Sequence, residues 1–193
     1  MTSAVVLGLG LAGCTPEALP FALPASGELP ALPWDGQPEA GAWTTATLMA
    51  VRAQDGALAG RVPADVGALC PGYETGSMAE RRAFWVALVA LTAGKESRFD
   101  PSVIAPGGYV GLMQISPRTA RAAGCGAVSP AELQDGENNL FCAVQLMAGH
   151  VARDGQVLGP QGNRGIGRDW MPWRGAAMQS ESADWLKRQG YCQ

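Results

Sequence analysis

The residue best suited to acid–base chemistry in this chain is Glu96. It closes an almost uninterruptedly apolar stretch, "AFWVALVALTAGKE", five residues before Pro101 forbids more helix. At roughly 100° per residue, Trp85, Val89 and Thr92 fall on its helix face. The carboxyl therefore ends an apolar stripe. Burial there disfavours the charged form and raises the pKa, as a general acid working near neutral pH requires. The alternative is a helix-end glutamate turned out to water, and periodicity alone does not choose between the two. Asp100, Asp135, Glu137 and Asp169 could supply a second carboxyl, but none has a comparable apolar context. Asp135 and Glu137 read as a solvated helix start.

Other chemistries find little support. The lone histidine, His150, makes His-based metal cages and His-dependent triads improbable. It reads as structural, one turn past Leu146. There is no CxxC, so neither a zinc knuckle nor a redox pair is expected, and no metal or cofactor is assigned. A formal net charge of −3 and a pI of about 5.1 offer no basic field, so no nucleic-acid partner is expected.

Several elements must hold Glu96. Ser77, with Glu80 three residues later, writes a capping box at the start of its helix. Residues 83–93 are apolar on nearly every side, the mark of a helix buried inside a small domain. Further helices fit about 117–124, about 137–153 and about 176–189, the last ending before Gly190 as a C-cap. No convincing run of strands occurs, so the class is mainly α. A length of 193 residues with 47% hydrophobic residues suits one domain with a real core, with or without a tether.

The opening "MTSAVVLGLGLAGC" has an apolar run at residues 4–13. That is far short of the ~20 residues a membrane-spanning helix needs. It has the length of a signal-peptide core, and "LAGC" resembles the lipobox of bacterial lipoproteins, which makes Cys14 the acylated residue. No Lys or Arg precedes the run, and an ordinary secretory signal is the other reading. Residues 1–13 are thus read as a lipoprotein signal peptide. Residues 14–62, with six prolines between Pro16 and Pro38, read as a disordered Pro/Ala-rich tether. Within it, "TTATLMAVRAQ" (44–54) forms at most a short packed segment. The folded domain is expected over 63–193, starting near Pro63 to Cys70.

Setting Cys14 aside leaves Cys70, Cys125, Cys142 and Cys192, an even number that suits two disulfides in an oxidising compartment. Of the three connectivities, the adopted one pairs Cys125 with Cys142 and Cys70 with Cys192.

The stretch "ESRFDPSVIAPGGYVGLMQIS" (96–116) resembles the catalytic segment of the soluble lytic transglycosylases, relatives of goose-type lysozyme. Glu96-Ser97, Phe99, Pro101, Gly107-Gly108 and Gly111-Leu112-Met113-Gln114 stand in register. Downstream, "NLFCAVQLM" (139–147) is similar to the family's Asn-led helix, with Ala143 replacing the usual glycine. The resemblance spans roughly residues 70–150 and implies a lysozyme-like single α domain with a sugar cleft. It implies peptidoglycan glycan strands as substrate, cut between N-acetylmuramic acid and N-acetylglucosamine. One carboxyl, here Glu96, protonates the leaving oxygen, and the muramyl C6 hydroxyl closes a 1,6-anhydro ring. Usual hydrolases need two carboxyls, ~5–5.5 Å apart to retain or ~6.5–9.5 Å apart to invert.

By the same resemblance Gln114 and Asn139 would offer amides to acetamido and hydroxyl groups, with Tyr109 and Met113 counted beside them. Ordinary loop and helix hydrogen bonding is the alternative for the two amides, and core packing for Met113 and Phe99. The chain also departs from the pattern. Ala105 stands where serine is common and Ser116 where methionine is usual. The family's Ala-Tyr-Asn segment, whose tyrosine faces the acid, has no counterpart after residue 150. In its place stands "GPQGNRGIGRDWMPWRGAAM", in which Trp170 or Trp173 could stack on a sugar ring or simply pack.

The expectation is a monomeric, periplasmic lytic transglycosylase held to a membrane by an N-terminal lipid. Thr15 in place of aspartate leans towards the outer membrane. A muramidase of the same fold that uses water, or a catalytically silent wall-binding lipoprotein, are the other readings.

Overall fold

A computed structural model describes residues 31–193; the signal-peptide and Cys14 readings lie outside these. The described chain is mainly helical, with 57% helix and 3% strand in one domain. Its α-helices are α1 (Ala40–Ala53), α2 (Val66–Leu69), α3 (Met78–Glu96), α4 (Pro117–Ala123), α5 (Pro130–Leu133), α6 (Gly136–Asp154) and α7 (Ala176–Lys187). Short 3-10 turns at Pro71–Tyr73, Gly165–Arg168, Met171–Arg174 and Gly190–Cys192 fill the joins. The antiparallel hairpin of β1 (Ile104–Ala105) and β2 (Tyr109–Val110) pairs Ile104 with Val110 and Ala105 with Tyr109.

Helix α3 starts as its sequence dictates. The Ser77 hydroxyl accepts from the Glu80 N–H, and the Glu80 carboxylate accepts from the Ser77 N–H at 2.7 Å. Every residue from Ala83 to Ala90 is buried, so the helix runs through the core. Its aromatic end is cross-braced. The Trp85 indole donates to the Tyr73 hydroxyl at 2.8 Å, which donates onward to the Leu58 carbonyl at 3.2 Å. Phe84 and Tyr73 meet edge-on, with centroids 5.1 Å apart.

The tether reading is corrected over its described part. Residues 40–53 are α1, which buries Trp43, Ala46, Thr47, Leu48, Ala50 and Val51 against α3 and α6. Trp34, upstream of it, is fully buried and donates its indole N–H to Thr44 at 2.9 Å. The packed domain therefore includes Leu32 onward rather than beginning near Pro63. The physical reason lies in spacing. Trp43, Thr47, Ala50 and Val51 recur at i, i+4, i+7 and i+8, one face of a helix, although the prolines nearby suggested extended chain.

Two disulfides close the domain in the adopted pairing. Cys70–Cys192 ties the turn after α2 to the C-terminal turn, across 122 residues. Cys125–Cys142 ties the exit of α4 to α6, across 17 residues.

Candidate active site

Glu96 is the last residue of α3 and is half-buried. Its helix ends abruptly because Arg98 and Phe99 adopt left-handed backbone, with φ of 55° and 65°. That reversal folds the Phe99 ring back over Gly94, where an added Cβ would lie 2.8 Å from the ring. Phe99 thus packs on the helix it terminates, as the core reading expected. Neighbouring Lys95 points elsewhere, to a salt bridge with Glu181 on α7 at 3.1 Å.

Burial pushes the Glu96 carboxyl up to about 7. The negative end of the α3 dipole acts in the same direction. Among the described residues no side chain or backbone N–H bonds this carboxyl to hold it ionised, so nothing opposes the shift. Around neutral pH the group is shared between its protonated and ionised forms, ready both to give and to take a proton.

The other carboxylates differ. Asp100 is exposed and accepts from the Ser102 hydroxyl and N–H, which lower its pKa. Asp135 caps α6 by accepting from the Asn138 N–H at 2.9 Å, and Glu137 in the first turn is exposed. Asp169 accepts from His150 Nε2 at 2.6 Å, while Arg153 donates to His150 Nδ1 at 2.9 Å. His150 is structural, as expected.

The Gly111–Gln114 loop is closed by reciprocal backbone bonds between Val110 and Ile115 of 3.1 and 3.0 Å. Gly111 has φ of 77°, and an added Cβ would lie 2.2 Å from the Leu133 carbonyl. Only glycine fits there. Gln114, itself at φ 47°, donates its amide to the carbonyls of Gly111 at 2.9 Å and Val103 at 3.3 Å. Its amide N–H groups hold the loop, leaving its side-chain oxygen as the group to offer a ligand. Tyr109 is 49% exposed and available for contact.

Four expected substrate contacts are corrected. Asn139 is fully buried: its oxygen accepts from the Met113 N–H, and its amide donates to the carbonyls of Val110 and Leu133, all within 2.9 Å. It latches the loop to α6 and has no N–H left for a sugar. Met113 is fully buried core. Trp173 is also fully buried, with its indole donating to Thr92 Oγ1 at 3.0 Å. Trp170, 2% exposed, donates to the Met113 carbonyl at 2.9 Å and lines a surface cavity. Both tryptophans are staples, so neither presents an open stacking face.

Sequence reasoning missed the residues that shape the segment after α6. Asp65 accepts from the N–H groups of Val157, Leu158 and Gly159 at 2.6 to 2.9 Å. Asp154 accepts from the Gly165 N–H and a forked pair from Arg168, which holds its carboxyl well below the usual range. Asp65 carried no signal because its partners lie more than ninety residues away. Ser116, standing in for the family's methionine, is the N-cap of α4 and accepts from the Thr119 N–H at 3.0 Å.

Residues 75–164 match the family model described as the transglycosylase SLT domain. This segment includes Glu96, Gly111–Gln114 and Asn139. Among solved structures, Bd0314 DslA is similar in its wild-type form and in two glutamate-to-glutamine variants. Each match has a TM-score of 0.77 at 26–27% identity, covering 87% of this chain and all of the other. No curated protein matches.

Proposed function

We propose that the protein is a peptidoglycan lytic transglycosylase with Glu96 as its one acid–base residue. In the first step the protonated Glu96 gives its proton to the glycosidic oxygen, and the bond from that oxygen to muramyl C1 breaks. In the second the Glu96 carboxylate takes the proton of the muramyl C6 hydroxyl as that oxygen bonds to C1. The 1,6-anhydro ring closes and the acid is regenerated. The observation that supports this reading is the Glu96 pKa of about 7, caused by burial, in a chain segment that matches the SLT domain. The four other carboxyls considered are exposed or already engaged, which favours a one-carboxyl reaction over hydrolysis by a pair.

Digestion of purified sacculi followed by mass analysis tests it. Anhydro ends, lighter by one water than reducing ends, support the proposal. Reducing ends would mean a muramidase, and no release would mean a wall-binding protein. Export with acylation at Cys14 and a periplasmic, membrane-tethered location complete the proposal. The lipobox-like "LAGC" and the two disulfides support it. Metabolic labelling with radioactive palmitate should mark the wild type and not Cys14→Ser.

A further inference from the structure

The segment 165–174 lies beyond the part that matches the SLT model and builds one wall of a cavity of about 210 Å³. The opposite wall is Tyr109, Gln114, Ser116 and Thr119, so the cavity borders the loop that carries the family motif. Buried Trp170 lines it, and so does Arg174.

Arg174 differs from the arginines around it. Arg168 and Arg153 both pair with Asp154, at 2.6 and 3.5 Å. The Arg174 guanidinium is held by two backbone carbonyls, with Nε donating to Gly167 and Nη2 to Arg168, each at 2.9 Å. Among the described residues it has no carboxylate partner. The carboxylate in the cavity wall, Asp169, is engaged by His150 at 2.6 Å. Three guanidinium groups thus meet two carboxylates in this cluster, a local positive excess on a chain of net charge −3.

The wall is also rigid. Asp154 accepts from its Gly165 N–H, and Trp170 fastens it to the Met113 carbonyl. A fixed guanidinium, already oriented and with N–H groups to spare, is suited to a planar carboxylate.

We propose that this cavity is an anion-reading subsite in which Arg174 binds a carboxylate of the glycan strand while Tyr109 covers the adjoining apolar surface. This rests on the transglycosylase reading. The carboxylate has two sources. Where a peptide stem is attached, the lactyl carboxyl is tied up as an amide and the free carboxylates belong to the stem. Where the stem has been removed, the lactyl carboxylate itself is free.

The test uses the full chain and its Arg174→Met and Arg174→Lys variants on three probes: stem-bearing strands, amidase-stripped strands, and stem-bearing strands whose carboxyls have been amidated with a carbodiimide and ammonia. Arg174→Met should lose about tenfold in kcat/KM, the value of one charge-assisted contact. Arg174→Lys should keep part of it. A loss confined to stem-bearing strands assigns the stem carboxylate, and one confined to stripped strands assigns the lactyl group. On amidated strands the variants should match the wild type. The proposal is overturned if wild type cleaves native and amidated strands equally well, a comparison that needs no variant to fold. Should wild type release nothing, co-sedimentation with native and amidated sacculi reads the same subsite. Weaker binding after amidation would then support Arg174 even as the catalytic reading fails, and equal binding would overturn it.

Discussion

Trp173 donates its indole N–H to the hydroxyl of Thr92, one helical turn before Glu96, across 81 residues of sequence. Thr92 in turn donates to the Leu88 carbonyl at 2.7 Å, so the staple is built into the helix that carries the acid. The segment after α6 therefore reaches the helix of Glu96 through a buried tryptophan.

Trp173→Phe should lose this bond, at about 0.5–1.5 kcal/mol of stability, with a further cavity term for the missing part of the buried indole. If the staple orients Glu96, kcat on sacculi should fall several-fold while KM stays near wild type. A loss of stability with unchanged kcat would limit Trp173 to packing.

Asn139 should be among the least tolerant positions. Asn139→Ala strands the Met113 N–H and the Leu133 carbonyl, while the Val110 carbonyl keeps its bond from the Ile115 N–H. At roughly 1–3 kcal/mol for each of the two groups left unsatisfied, urea denaturation should show a loss of about 2 kcal/mol or more. A loss under about 1 kcal/mol would mean that Asn139 is not the latch described.

Its role shows where sequence reading reached its limit. The capping box of Ser77 and Glu80 was legible because it is local, and the burial of α3 because its apolar run is continuous. The register of Glu96 with the Gly111–Gln114 loop was carried by spacing. Asn139 was visible as a motif residue, but its purpose depends on Val110, Met113 and Leu133, which only the fold assembles. Helix α1 was obscured by flanking prolines and lacks a side-chain cap, so its start carries no signal. Trp170 and Trp173 were read as candidate sugar platforms because an aromatic near a cleft and one buried under it look the same in sequence.

The two disulfides should contribute unequally. In the chain-entropy model a loop of about 100 residues gains ~4.7 kcal/mol and one of about 15 residues ~3 kcal/mol. Cys70→Ala/Cys192→Ala should therefore lower stability more than Cys125→Ala/Cys142→Ala in urea melts. The reverse order would place the main contribution in native packing around α4 and α6.

Because the folded pKa of Glu96 is raised above its unfolded value, the folded state holds a proton that the unfolded chain releases. Stability from this group should fall as pH rises from about 4.5 to about 7. Glu96→Gln removes that dependence. Relative to wild type it should gain stability at pH 8 over pH 4, on the order of 1–2 kcal/mol after discounting solvent screening of a half-buried carboxyl. A difference independent of pH would contradict this.

The most direct measurement is the titration of Glu96 itself. In the full chain labelled with 13C at glutamate Cδ, with Glu96→Gln used to assign its signal, the Glu96 carboxyl should titrate with a midpoint of about 7. A midpoint near 4.5, the value of an ordinary glutamate, would show that α3 does not keep this carboxyl protonated and would contradict its role as the acid.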